Sequence, residues 1–150
     1  MSLSIYIKFK KRKMVNYNKT HVACGSTLEV HGDKEEFYQR TWCGNITHNM
    51  REMARHIPVR YMDESRGISY KGTLYEAVWR GDEIGKEMLN TDTMRDILLH
   101  GIIYMITNKK DLLQYNPKNE CGDYDSFLFW LIKYKEMCED NPDCEIEINR

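Results

Sequence analysis

The sequence predicts an α+β domain, in which a small antiparallel or mixed sheet packs against two main helices. Strand-like segments occur at both ends of the 150-residue chain, and the two strongest helical patterns lie between them. A chain of about 100–200 residues commonly forms one hydrophobic core. We therefore expect a single domain over residues 1–150.

Three segments supply the predicted sheet. Residues 2–9 alternate apolar and polar side chains, which is the period of a half-buried strand. Residues 27–31 and 37–43 predict a hairpin with a loop near Gly32, because the second segment is rich in aromatic and β-preferring residues. Residues 144–149 predict a last strand, which we expect to pair with the first strand or with the hairpin.

Helical spacing of apolar residues occurs in four places between these strands. A first helix is predicted after Thr47, and Pro58 stops it. Residues 72–79 form a second, short pattern. Residues 92–108 and 123–139 carry wide apolar stripes and predict the two main helices, which we expect to cover one face of the sheet.

Composition excludes several classes of function. The chain has 22 basic and 23 acidic residues, so a formal net charge of −1 argues against a general nucleic-acid-binding protein. No apolar run approaches the roughly 20 residues that span a bilayer, which argues against a membrane protein. The five cysteines form no CxxC pair and no HExxH motif occurs, so we predict no metal site and no cofactor.

The most informative polar cluster is Asn45, Thr47, His48 and Asn49, at a predicted strand-to-helix junction. Helix starts present unpaired backbone N–H groups, which favour anions. The imidazole and the two amides could therefore contact a phosphate, a base or a ribose. The alternative interpretation is a set of N-terminal helix caps, for which Asn45 and Thr47 are both suitable.

Two further segments could contribute to the same site. Trp79 and Arg80 offer a stacking plane beside a planar donor, although Asp82 and Glu83 could simply neutralise the arginine. The turn over residues 116–124 begins with Asn116 and enters the last helix at Tyr124, which could stack on a ligand ring or cover the core. Its alternative role is that of a helix-entry turn.

Several motifs occur in order with the spacing of one known family. They are Met1-Ser-Leu-Ser-Ile-Tyr, Asn45-Ile-Thr-His-Asn-Met50 with Met53-Ala54, Trp79-Arg-Gly-Asp-Glu-Ile-Gly85, Asn116-Pro-Lys-Asn-Glu-Cys-Gly-Asp-Tyr124 and the ending Cys138…Asn141-Pro-Asp-Cys-Glu-Ile-Glu-Ile-Asn-Arg150. Over residues 1–10 and about 45–150, the chain resembles a family of small proteins encoded mainly in bacteriophage genomes. Gly81 replaces a frequent proline of that family, and Glu120-Cys121 replace a Gly-Trp pair. The resemblance implies a phage origin, a shared polar site and a hairpin insertion at about 11–44.

The leading hypothesis is a phage-encoded, non-enzymatic binding protein that counters host antiviral defence by sequestering a small nucleotide-type signal. It is an analogy with small phage proteins of unrelated families. The hypothesis requires several separated polar and aromatic side chains to converge on one cavity. The predicted ligand-binding residues are Asn45, Thr47, His48, Asn49, Trp79, Arg80, Asn116 and Tyr124.

Two alternatives belong to other functional classes. A protein–protein inhibitor of a host defence effector would use an exposed surface, for which the 37–42 part of the hairpin is the candidate. A nucleotide-processing enzyme would use His48 as its general base. All three hypotheses place the protein in the cytoplasm of the infected bacterial cell. A homo-oligomer is expected because subunit interfaces build pockets.

Overall fold

The computed structural model describes residues 2–11, 26–27 and 37–150, and describes side chains for residues 2–8 and 45–150. The described strands are β1 (Ser2–Lys11), β2 (Ser26–Thr27), β3 (Phe37–Thr47), β4 (Pro58–Asp63), β5 (Ile68–Thr73) and β6 (Glu145–Asn149). The described α-helices are α1 (Arg51–Arg55), α2 (Leu74–Trp79), α3 (Gly81–Ile84), α4 (Thr91–Thr107), α5 (Lys109–Leu112) and α6 (Tyr124–Asp140). The predicted α+β class is confirmed.

Strand β1 lies inside the larger sheet, whose order is β2-β3-β1-β6 with antiparallel pairing throughout. Leu3, Ile5 and Ile7 are fully buried, whereas the residues between them are half-buried. This confirms the alternation that predicted the strand. The predicted pairing of the C-terminal strand with the first strand is also confirmed, and Lys8 forms an ion pair with Glu147 across it at 3.0 Å.

The two main helices form where the apolar stripes predicted them. Asn90 caps α4 by accepting a hydrogen bond from the Asp92 backbone at 2.9 Å. Asp123 and Ser126 form a reciprocal capping box at the start of α6, which satisfies backbone donors at that helix end. Helix α6 packs against β3, and α4 packs against both α6 and β4.

A second sheet formed by β4 and β5 was not predicted. Pro58 was interpreted only as a helix stop, but it also begins β4, where Val59 and Tyr61 are buried while Arg60 and Met62 are exposed. A turn over residues 64–67 connects the two strands. Helix α2 begins at residue 74 rather than 72, because β5 continues to residue 73 before the helix is capped.

The predicted hairpin lies only partly within the described residues. The strand at 37–43 is confirmed as part of β3, and β2 pairs with it at residues 26–27. Residues 28–36, together with most of the predicted insertion at about 11–44, lie outside the described part of the chain. No helix in the described part has both the length and the apolar character required to cross a membrane.

Candidate functional site

The junction after β3 turns the chain sharply at His48. Thr47 has extended backbone geometry, and its hydroxyl oxygen accepts a hydrogen bond from the Asn49 backbone N–H at 3.3 Å. A 3-10 turn over His48–Met50 follows and leads directly into α1. The capping role that was the alternative interpretation of Thr47 is therefore present, and it fixes the position of His48.

Helix α2 holds the partner of this histidine. Trp79 is 1% exposed and packs near Phe127 and Trp130 of α6, with ring centroids 6.0 and 6.5 Å away. Its indole Nε1–H donates to Nδ1 of His48 at 3.1 Å. Because the indole nitrogen can only donate, Nδ1 must be the unprotonated ring nitrogen. The neutral imidazole then carries its proton on Nε2.

Electrostatics favour this neutral form. Burial lowers the pKa of the His48 imidazole below its ordinary value, and the positive charge of Arg51 lowers it further. Protonation would also place an N–H group of the ring against the indole N–H of Trp79. At neutral pH, His48 is therefore an uncharged hydrogen-bond donor whose lone pair is already occupied.

A surface cavity of about 400 Å³ lies beside this histidine, and we call it the His48 cavity. Its volume falls within the range of roughly 300–1,000 Å³ typical of small-molecule sites. Three arginines, two aromatic residues, one histidine and one carboxylate contribute to its wall. The lining residues are His48, Arg51, Tyr75, Trp79, Arg80, Glu83 and Arg150.

Two of the three arginines in the wall are ion-paired. Arg80 Nε donates to Glu83 at 2.8 Å, and this carboxylate raises the pKa of the Arg80 guanidinium. Arg150 donates to Asp82 at 2.7 Å, to Glu83 at 3.2 Å and to the Trp79 carbonyl oxygen at 2.8 Å. The expected neutralisation of Arg80 by an adjacent acid is thus present in the structure.

Arg51 supplies the excess positive charge. Its Nε donates to the His48 carbonyl oxygen at 3.0 Å, and the side chain is exposed. Among the described residues, no carboxylate lies within 4.0 Å of its guanidinium nitrogens. The cavity wall therefore combines an uncompensated guanidinium with a neutral imidazole donor.

Three of the eight predicted ligand-binding residues, namely His48, Trp79 and Arg80, line this cavity. Trp79 differs from its predicted role, since a ring that is 1% exposed offers almost no face for stacking. Asn45 lies exposed on β3, opposite Ser4. Thr47 caps the 3-10 turn, as described above.

The other three residues lie near the turn that precedes α6. Asn49 donates to the Asn119 side chain at 3.5 Å and to the Cys121 carbonyl oxygen at 3.4 Å. Asn116 accepts from the Tyr124 backbone N–H at 2.8 Å, while the Tyr124 hydroxyl donates to the Met105 carbonyl oxygen at 2.7 Å. Tyr124 is 2% exposed, so its ring covers the core. The eight residues do not converge on one cavity.

Sequence reasoning missed four residues of the cavity wall. Arg51 lies three residues after His48, and Tyr75 lies four residues before Trp79, so helical spacing could have found both. Glu83 was considered only as a neutralising acid. Arg150 had no local signal, because only the pairing of β6 with β1 brings it to the cavity.

Among the side chains described, those of residues 2–8 and 45–150, no group of three His, Cys, Asp or Glu is arranged to hold a metal ion. Comparison with protein-family models, curated proteins and solved structures found no match.

Proposed function

We propose that this protein is a non-enzymatic binding protein that sequesters a small nucleotide-type anion in the His48 cavity. The observation that carries the proposal is Arg51, an exposed guanidinium without a described acidic partner, beside a neutral imidazole donor. A guanidinium binds phosphate oxygens in a bidentate manner, and a neutral imidazole N–H adds a further donor without adding charge.

The size and the wall of the cavity favour a nucleotide over a simple anion. A volume of about 400 Å³ exceeds the needs of inorganic phosphate. Tyr75 is half-buried in the wall and could contact a sugar or a base, as could the ring of His48. Arg80 lies on the same wall, held in place by Glu83.

Sequestration is favoured over catalysis by the hydrogen bond between Trp79 and His48. A general base requires a free lone pair, whereas the lone pair of Nδ1 accepts from the indole. The resemblance to bacteriophage proteins suggests the biological setting, in which removal of a nucleotide signal would counter host defence. Under this proposal the protein acts in the cytoplasm of the infected cell.

The test is isothermal titration calorimetry of the purified chain with cyclic mononucleotides and with ADP-ribose. Two further probes each carry one part of a nucleotide: adenosine carries the base and the sugar, and inorganic phosphate carries the anion. We expect at least one phosphate-bearing nucleotide to bind, and adenosine to bind at least tenfold more weakly. Absence of heat across the whole panel would refute the proposal.

Arg51→Ala is the decisive variant. Losing one charge-assisted contact should weaken binding roughly tenfold or more, which corresponds to about 1.4 kcal/mol. Arg95→Ala is the matched control, because Arg95 is a half-exposed arginine whose guanidinium pairs with Asp92 and Asp96 on α4. We expect the nucleotide affinity of Arg95→Ala to stay within twofold of that of the wild type. Chromatography of the recovered nucleotide distinguishes a binding protein from an enzyme, because conversion of the nucleotide to a product would indicate an enzyme.

A further inference from the structure

A second cavity, of about 470 Å³, lies between β4 and α4 and does not share a lining residue with the His48 cavity. Val59 and Arg60 line it on the strand side. His100, Ile103 and Thr107 line it on the helix side, at the three- and four-residue spacing that marks one helical face. We call this cavity the β4–α4 groove.

The strand side of the groove is an open sheet edge. The backbone N–H of Leu74 donates to the Ile57 carbonyl oxygen at 2.8 Å, which identifies this opposed pair as hydrogen-bonded. Opposed residues in an antiparallel pair alternate between hydrogen-bonded and non-hydrogen-bonded positions. The backbone N–H and C=O groups of Val59 therefore point toward β5, whereas those of Arg60 and Met62 point away from it. In the described part of the chain, β4 pairs with β5 alone.

Positive charge borders this edge. Arg60 lies directly opposite Lys71 in a non-hydrogen-bonded pair, where side chains approach most closely. Like charges at opposed positions destabilise a sheet, so a negatively charged group bound beside Arg60 and Lys71 would stabilise this pair. His100 lies beside both residues in an adjoining depression. Among the described residues, no acidic group lies within 4.0 Å of any of these three side chains.

Apolar side chains are also exposed here. Met62 is 70% exposed and Ile103 is 54% exposed, although both are large hydrophobic residues. Exposed strand edges that combine backbone donors with neighbouring pockets bind extended peptides by strand addition. The rim selects the peptide, because the positive charges of Arg60 and Lys71 would attract carboxylates and the His100 ring can donate a hydrogen bond to one.

We propose that the β4–α4 groove binds an acidic, extended segment of a partner protein, which adds to β4 as a further strand. The backbone of the segment pairs with Arg60 and Met62. Its carboxylates lie on the face of Arg60 and Lys71, and its apolar side chains lie on the opposite face, toward α4. Pro58 ends the pairing, since proline has no N–H to donate.

An anionic membrane would also meet cations and exposed apolar side chains, but it would not require the backbone of an edge strand. The groove favours a peptide because one of its walls is a strand edge with outward-facing backbone groups, to which a peptide backbone can bond. Lipid binding that does not depend on the strand edge would therefore contradict the proposal.

The probe is a fluorescein-labelled eight-residue peptide of alternating glutamate and valine, and binding is measured by fluorescence anisotropy. Met62→Pro removes one outward-facing N–H without removing a bond to β5. Ser69→Pro is the matched control, because Ser69 lies directly opposite Met62 and directs its N–H to the other edge. We expect Met62→Pro to weaken binding about tenfold or more and Ser69→Pro to change it less than twofold.

A charge exchange and a modified probe provide independent readouts. Arg60→Glu should shift the preference from the glutamate–valine peptide toward its lysine–valine counterpart. A glutamate–valine peptide that is N-methylated at alternate residues should lose binding to the wild-type chain, which tests pairing even if a proline variant does not fold. The proposal is overturned if the glutamate–valine peptide does not bind, or if both proline variants weaken it equally. Binding of phosphatidylserine vesicles that Met62→Pro leaves unchanged would likewise overturn it.

Discussion

The junction before α1 and the turn before α6 are both rich in asparagine, yet they use their polar groups differently. In the turn, Asn116 and Tyr124 direct their polar atoms to backbone groups of the fold. At the junction, His48 and Arg51 line a cavity with donors that remain available to a ligand. A polar composition therefore does not by itself indicate a binding site. What matters is whether backbone groups of the same chain already occupy the side-chain donors and acceptors.

The two regions are also in contact, and this explains how one supports the other. Gly122 of the turn has φ +99°, and an added Cβ would lie 2.7 Å from Thr47 Cγ2 and 2.9 Å from Met50 Sδ. Asn49 adds a polar contact to the same turn. The turn before α6 thus buttresses the cap that positions His48.

The largest effect is expected at Gly122. Gly122→Ala combines a left-handed backbone with a close contact to Thr47, so we expect it to lower the free energy of unfolding by about 3 kcal/mol. Gly67→Ala is the matched control. Gly67 also has positive φ, at +65°, but its added Cβ meets nothing within 4 Å, so about 1 kcal/mol is expected. Urea unfolding monitored by circular dichroism measures both, and equal losses would show that the two regions are not coupled through this contact.

A smaller effect is expected within the turn. Tyr124→Phe removes the buried hydrogen bond to the Met105 carbonyl oxygen and should cost about 1 kcal/mol. Tyr104→Phe serves as the comparison, because Tyr104 is a half-exposed tyrosine on α4 and its substitution should cost less than about 0.5 kcal/mol. Nucleotide affinity should be unchanged in both variants. A selective loss of affinity in Tyr124→Phe would instead place this residue in the ligand site.

The length of an element determined whether the sequence could predict it. Long periodic signals located β1, β6, α4 and α6, since burial of one face leaves a repeated pattern in the chain. The hairpin of β4 and β5 was missed because Pro58 is compatible with both a helix stop and the first residue of an edge strand. Short strands carry little periodic signal, so a single residue of this kind decides the interpretation.

The candidate site was predictable only where its residues are neighbours in sequence. Thr47 and His48 were found because a cap and a histidine in one motif are a local signal. Trp79 was found as a residue, but its partner was not, since the hydrogen bond to His48 depends on packing between α2 and the junction. Arg150 reaches the cavity through the pairing of β6, which no local pattern encodes.

The smallest expected effect is a pH dependence that belongs to the junction alone. The folded state lowers the pKa of His48, so the unfolded chain binds the proton first as the pH falls. Stability from the neutral ring is therefore complete above the unfolded pKa of about 6.5 and is lost as the pH falls toward the folded pKa. His48→Gln should remove this part of the slope, because the amide oxygen can accept from Trp79 without titrating. Urea unfolding between pH 7.5 and 5 should show the two curves running parallel above about pH 6.5 and diverging below it, whereas Tyr124→Phe should shift the whole curve without changing its slope. Parallel curves for the wild type and His48→Gln would mean that this histidine is not held neutral by the fold.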